Sequence, residues 1–506
     1  MTADQLHWLS VRQLLCGFRA GTFTPLEVLD HLVERIEELD KATGINSIVD
    51  LQVESARALA MEATQRYQDG AGDCCTTGSS YHDAERPLLG VPFLVKEQHD
   101  VAGLSATRGS QALQGNVADK DAEIVARLKQ AGAIPFGRTT TPEMSCATFT
   151  HTREWGVTRN PYNPNKTPGG SSGGSGAAVA AGFAPFATAS DIGGSTRIPA
   201  AFCGLPGLKT SYGRTPGAVP MNIDWYRGDH ILARTVSDTA LVFNQIMGPS
   251  RFDMSTIPVS GSFPVEHHFG QYSYTSGQEV PAGTEVHDVD LSGWRIGVSA
   301  DLGCYELDES TRLGVERVAE ALEAAGAQVV PVDAQLKLED VTRASMAHYG
   351  GLLAPNIERQ ARGDITVLEP YTQEFVRRTK RFAEETSLLE AALIESDIQQ
   401  KLLAALDAVD VLITATSAVE DLDAGEDFTT GIDRPDGEHS FYWEAHQVVP
   451  FNIANRMPAM SVPSGIGSAG VPTGVQIVGM PYREATVLRV AAAIEALMPF
   501  PRPTIG

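Results

Sequence analysis

LLGVPFLVKE at residues 88–97 reads as a buried β-strand, DAEIVARLKQAGA at 121–133 as a helix, and AIPFGRT at 133–139 as a second strand. Strand, helix and strand at this spacing make a βαβ unit, because two parallel strands need a crossover of about this length. The chain is therefore expected to be α/β. We expect one large domain with a central mixed, mostly parallel twisted sheet flanked by helices.

Beyond this unit, TPLEVLDHLVERIEELDKATG (24–44) carries an N-cap threonine, Pro25 at the first helical position, and apolar residues at helical spacing. AAVAAGFAPFATA (177–189) is too short and too rich in Gly and Pro to span a bilayer, so it reads as a buried helix followed by a buried strand. TVSDTALVFNQIM (235–247) is helical in pattern. A second αβ pattern runs from WRIGVSADLG (294–303) through TRLGVERVAEALEAAG (311–326) to the strand AQVVPVD, and DVLITAT (410–416) is a further buried strand.

These segments imply an N-terminal helical part at 1–70, a core with the candidate catalytic residues at 71–247, and a long loop or linker at 248–293. The remainder, 294–506, completes the αβ domain with the pocket loops, all in one compact domain.

Composition excludes several functions. The 506 residues carry 39 Lys and Arg against 63 Asp and Glu, a net charge of −24. Such a chain is a poor partner for nucleic-acid phosphate or for an anionic membrane. The amino terminus MTADQLHWLSVRQLL has no basic start and no continuous apolar run, so no signal peptide is expected. Cysteines 16, 74, 75, 146, 203 and 304 are scattered without metal-ligand spacing, which fits free thiols in a reducing cytoplasm. Neither metal nor cofactor is expected.

The chemistry concentrates in GGSSGGSGAAVAAG (169–182) and DIGGSTRIPA (191–200), which hold Ser171 and Ser195 in glycine-dense backbone. A serine needs a base before it attacks a carbonyl. Here the candidate base is Lys96, at the end of the apolar VPFLV, where desolvation lowers a lysine's pKa. Gly193 and Gly194 allow backbone N–H groups to converge, so Ile192, Gly193, Gly194 and Ser195 are candidate oxyanion donors. If Ser171 bridges the other two, the proton path is Ser195 to Ser171 to Lys96. The serine loop lacks both the P-loop ending and the G-x-S-x-G elbow. Ser172 and Ser175 are read as satisfying backbone groups.

Taken together, these stretches closely resemble the amidase signature family. The resemblance rests on GGSSGGSGAAVAAG, DIGGSTRIPA and FCGLPGLKTSYGR (202–214), and extends to GVPFLVKE, TTPEM (140–144), WGVTRNPYNP (155–164), MPAMSVP and GVQIVGMPYREAT. It covers nearly the whole chain. It implies a serine hydrolase of amide C–N bonds working through an acyl-enzyme. Ser195 is then the nucleophile, Ser171 the bridging serine after a cis peptide bond, and Lys96 the base. Asp191 and Arg197 either brace the loop or act directly.

The family also includes the A-type subunit of a glutamine-dependent tRNA amidotransferase, the principal alternative. A non-catalytic scaffold is disfavoured by the intact Lys96, Ser171 and Ser195. The acidic chain, and the poor resemblance of residues 370–400 to the glutamine-binding segment, favour a free-standing amidase, similar to nylon-oligomer and aryl-amide hydrolases and to urethanases. Its expected partner is a small-molecule amide or carbamate, with no nucleic acid and no membrane, the chain acting as a monomer or homodimer. Two loops are expected to shape the pocket. One is Met144-Ser145-Cys146. The other is the acidic stretch 418–440 leading into Phe441, Tyr442 and Trp443, whose aromatics either line an entrance or pack in the core.

Overall fold

The computed structural model describes residues 3–70, 86–217, 219–258, 289–434, 437 and 439–505. Cys74, Cys75 and most of the expected excursion at 248–293 lie outside them. So do residues 71–85, and 435, 436 and 438 in the acidic stretch.

The βαβ unit forms as its sequence dictates. Pro92–Lys96 is buried at every position, Glu123–Gln130 is the crossover helix, and Ile134–Thr139 returns parallel to the first strand. The parallel strand Phe186–Asp191 flanks Pro92–Lys96 on the other side, and antiparallel Ile48–Leu51 and Gly228–Ala233 complete a five-stranded sheet. A second, six-stranded sheet has Arg295–Val298 parallel to both Gln328–Pro331 and Val411–Ala415. It continues through Pro472–Gly479, Ala459–Ile466 and Gly207–Lys209, each antiparallel to its neighbour. The sheets meet where the edge strands Gly207–Lys209 and Gly228–Ala233 lie against each other. Parallel pairing thus occupies the middle of the first sheet and one side of the second, and antiparallel strands complete both.

Helices cover both sheets. Pro25–Leu39 starts with a reciprocal cap: Glu27 N–H donates to Thr24 Oγ1 at 3.1 Å, and Thr24 N–H donates to Glu27 Oε2 at 2.7 Å. Its buried Val28, Leu29, Leu32, Val33 and Ile36 join the main core. Gly173–Ala180 is buried all round, which its glycine and alanine content allows. A second core gathers Met144, Cys146, Phe149, Tyr349, Phe375 and the Phe441–Trp443 aromatics. No helix among the described residues is long and apolar enough to cross a membrane.

Candidate active site

Lys96 ends the strand Pro92–Lys96 and Asp191 ends its parallel neighbour Phe186–Asp191, so both lie at carboxyl ends of the same sheet. Open α/β sheets place their sites at such an edge.

The alternation of the second strand supplies Lys96 with partners. Thr188 and Ser190, two residues apart, face the same side. Thr188 Oγ1 accepts the Lys96 backbone N–H at 2.8 Å, and Ser190 Oγ lies 3.0 Å from Lys96 Nζ. Ser171 Oγ is closer still, 2.7 Å from Nζ. Ser190 Oγ in turn donates to Gln98 Oε1 at 3.1 Å, so toward Ser190 the amine is the donor. When the amine is neutral, that leaves its lone pair free to accept the Ser171 proton. The lysine is fully buried. Burial first, then the Arg227 cation, pushes its pKa well below the ordinary lysine value, against the opposing pull of Asp229 and Asp191.

Ser171 follows a cis Gly170–Ser171 peptide bond and stands just before the helix Gly173–Ala180. Its carbonyl accepts from Thr141 Oγ1 at 3.1 Å, and Thr141 Oγ1 meets Ser145 Oγ at 2.9 Å. The segment Met144-Ser145-Cys146 is thereby tied to the Ser171 backbone. Met144 and Ser145 both have positive φ, 53° and 56°, an uncommon pairing for side-chain-bearing residues.

The two serine loops are joined directly: Ser172 N–H donates to the Ser195 carbonyl at 3.2 Å. Ser172 Oγ accepts Ser190 N–H at 3.3 Å, and Ser175 Oγ donates to the Thr188 carbonyl at 2.8 Å. These two serines satisfy backbone groups, as the sequence suggests.

The loop 191–195 corrects one expectation. Gly194 N–H is already committed to Asp191 Oδ1 at 2.8 Å, because the buried carboxylate folds back over its own loop. The amides of Ile192, Gly193 and Ser195 meet no protein acceptor among the described residues. The candidate donor set therefore narrows to those three. Gly194 has a different duty: its φ of +99° and the approach of Val448 Cγ2, 2.2 Å from where a Cβ would stand, both require glycine.

Asp191 and Arg197 form a brace. Arg197 Nε and Nη2 each reach an Asp191 oxygen at 3.0 Å, and its remaining donors meet Asn452 Oδ1, Gln476 Oε1 and the Val448 carbonyl. Both side chains are fully buried. Burial alone would raise the Asp191 pKa, but the Arg197 charge and its hydrogen bonds outweigh it and hold the carboxylate well below its usual range. Every Arg197 donor is thus satisfied within the fold, and the pair braces the loop.

Trp443 settles the open question about the aromatic cluster. It is buried against Tyr349 and Phe375, with ring centroids 5.3 Å away in each case. Its Cζ3 lies only 2.5 Å from where a Gly193 Cβ would be. It packs in the core and also walls the loop of Ser195. Sequence reasoning missed Ser190, Gln98 and Tyr349. The alternation of Thr188 and Ser190 before DIGGS was a usable signal for the first. Tyr349 lies on the distant helix Leu338–Gly351 and gave none.

Comparisons with known proteins give the family and the fold. The Amidase family model matches residues 27–488. An acylamidase of Rhodococcus erythropolis is 29% identical, over 99% of this chain and 98% of its own length. The A-type subunit of the glutamyl-tRNA(Gln) amidotransferase of Halorhodospira halophila is 31% identical, over 96% of each chain. The crystal structure of a bacterial aryl acylamidase of the amidase signature family superposes with a TM-score of 0.83 over 98% of this chain and 97% of its own, at 23% identity, and so shares the fold. The protein belongs to the amidase family and is a hydrolase acting on carbon–nitrogen bonds.

Proposed function

We propose that the protein is a free-standing serine amidase that acts through Ser195, Ser171 and Lys96 on hydrophobic or aryl amides and the related carbamates. The observation that carries this reading is the 2.7 Å contact of a desolvated Lys96 with Ser171 Oγ, on a loop bonded to the backbone of Ser195.

In the proposed cycle Ser195 Oγ attacks the acyl carbonyl. Its proton passes to Ser171, whose own proton goes to Lys96 Nζ. The oxyanion is received by the amides of Ile192, Gly193 and Ser195. The proton then returns through Ser171 to the departing nitrogen, since an amide anion is a very poor leaving group. Water releases the acid from the acyl-enzyme by the reverse relay. Esters and carbamates present the same carbonyl to the same nucleophile.

An apolar substrate fits the aromatic wall of Trp443 and the buried Met144-Ser145-Cys146 segment. The free-standing reading also draws on residues 370–385. Arg377 and Arg378 share Glu374, Lys380 pairs with Glu358, and Arg381 with Glu385, so each cation already has a carboxylate partner within the fold. We place the enzyme in the cytoplasm, working without metal, nucleic acid or membrane, as a monomer or homodimer.

The 31% identity to the A-type chain of a tRNA amidotransferase keeps that reading as the alternative. The experiment is hydrolysis by the purified chain of a panel of p-nitroanilides, primary amides, aryl carbamates and lactams. Turnover of apolar anilides or carbamates by the chain alone supports the proposal. Inactivity on the whole panel, with glutaminase activity appearing only beside partner subunits, would establish the alternative.

A further inference from the structure

Ile192 is the first residue after the strand Phe186–Asp191, and its carbonyl accepts a hydrogen bond from Tyr349 Oη at 2.9 Å. The Ile192–Gly193 peptide is trans; the cis bonds among the described residues are Gly170–Ser171 and Val219–Pro220. In a planar trans peptide the C=O and the following N–H point in opposite directions. Holding the Ile192 oxygen therefore also holds the Gly193 N–H, which faces away from Tyr349. That amide is buried and meets no protein acceptor among the described residues. A buried N–H left unpaired is costly, and such groups mark places where a ligand supplies the acceptor.

The hydroxyl is well placed to impose a direction. The Tyr349 ring is buried between Tyr226, Phe375 and Trp443, at centroid distances of 5.8, 6.0 and 5.3 Å. The preceding residue, His348, is fixed from the other side. It stacks on Tyr226 at 3.7 Å and its Nε2 lies 2.8 Å from Asp224 Oδ1. Burial, then the nearby Asp224 and Asp191 carboxylates, keep the phenol neutral, so it remains a donor. Glycine at 193 permits the approach, since a Cβ there would lie 2.8 Å from Tyr349 Oη.

We propose that Tyr349 is a positioning residue for amide hydrolysis: by clamping the Ile192 carbonyl, it aims the Gly193 N–H at the oxygen that gains charge when the acyl carbonyl is attacked. This rests on Ser195 as the nucleophile. Tyr349 itself touches neither substrate nor nucleophile in this role.

The test compares wild type, Tyr349→Phe and Ser195→Ala in the full chain, with melting temperatures as a check on folding. The readouts are kcat and KM on an apolar p-nitroanilide and inhibition by two probes. One is an apolar trifluoromethyl ketone, which adds to the serine and generates an oxyanion. The other is the matching secondary alcohol, which cannot.

For Tyr349→Phe we expect kcat to fall about tenfold and KM to stay within about twofold, a loss confined to the charged state. Ketone inhibition should weaken by the same factor as kcat, and alcohol inhibition should not change. Wild-type kcat and ketone affinity would overturn the proposal, and so would an equal loss of ketone and alcohol binding, which marks a packing role. Should the phenylalanine variant fail to fold, 3,5-difluorotyrosine at 349 keeps the ring and hydroxyl but alters its acidity. Ketone affinity should then shift while alcohol affinity holds; no shift would overturn the proposal. Turnover by Ser195→Ala would instead overturn the underlying reading. An inactive Ser195→Ala beside an unimpaired Tyr349→Phe would overturn this inference alone.

Discussion

Lys96 Nζ lies 2.7 Å from Ser171 Oγ, and both side chains are sealed from bulk solvent. Replacing the amine by the apolar Lys96→Met should separate two consequences of that burial. Activity on an anilide should fall by about 10²- to 10⁴-fold, the usual worth of a general base. Stability should rise at neutral pH. The folded chain holds a lysine whose pKa is depressed from 10.5, so between the depressed value and 10.5 the unfolded chain binds more protons. Wild-type stability therefore increases as pH rises through that window, and the cost of burying Lys96 is complete below it. Melting curves at pH 7 and pH 10 should show Lys96→Met more stable than wild type at the lower pH, with the gap closing at the higher. An active Lys96→Met would remove the lysine from the proton path.

Asp191 and Arg197 behave oppositely, since each neutralises a charge that has no access to water. Asp191→Ala would leave a buried guanidinium uncompensated, and such losses typically cost about 3–5 kcal/mol. Urea unfolding should show a loss of that order, together with collapse of activity. The same pair predicts acid sensitivity. The Asp191 pKa is held below its ordinary 3.8, so its stabilisation is present above that value and is lost as pH falls below it toward the depressed folded value. Unfolding followed from pH 5 downward should be steeper in wild type than in a variant lacking the pair.

Gly194→Ala should be more damaging than an ordinary loop substitution. The new methyl would meet Val448 Cγ2 at 2.2 Å in a backbone with φ of +99°. A left-handed alanine costs about 1–2 kcal/mol before any clash is counted. Because Gly194 N–H also anchors the loop to Asp191, kcat should fall by more than tenfold while thermal stability drops only moderately. Wild-type kcat in this variant would show that the loop tolerates a different path.

The buried thiols predict chemical indifference. Burial pushes the Cys146 thiol up to about 12, so it stays protonated at neutral pH although it belongs to the proposed pocket segment. Treatment of the native enzyme with iodoacetamide at pH 7.5 should leave anilide hydrolysis unchanged. Loss of activity against which substrate protects would bring a cysteine into the site.

Much of this was legible in the chain because the signals are local. The apolar run ending at Lys96, the helix 121–133 and the strand at 133–139 specify a βαβ unit through periodicity alone. The resemblance around Ser171 and Ser195 named the residues proposed to act. The same local reading offered four oxyanion donors where the fold leaves three, because a hydrogen bond from Gly194 to Asp191 depends on how the loop turns. It left Asp191 and Arg197 undecided, since their partners Asn452, Gln476 and Val448 lie about 250 residues or more away in sequence. Residues 294–466 offered no clue that one tyrosine would reach the Ser195 loop.

The reaction class and the two serines and lysine proposed to perform it could be read from the chain alone, because the motifs that carry the family resemblance are written in neighbouring residues. Which hydroxyls and charges surround Lys96, which amides stay open and what walls the site could not. Those properties come from burial and direction, and both arise only when Ser190, Arg227, Tyr349 and Trp443 are packed around the loop from separate parts of the chain.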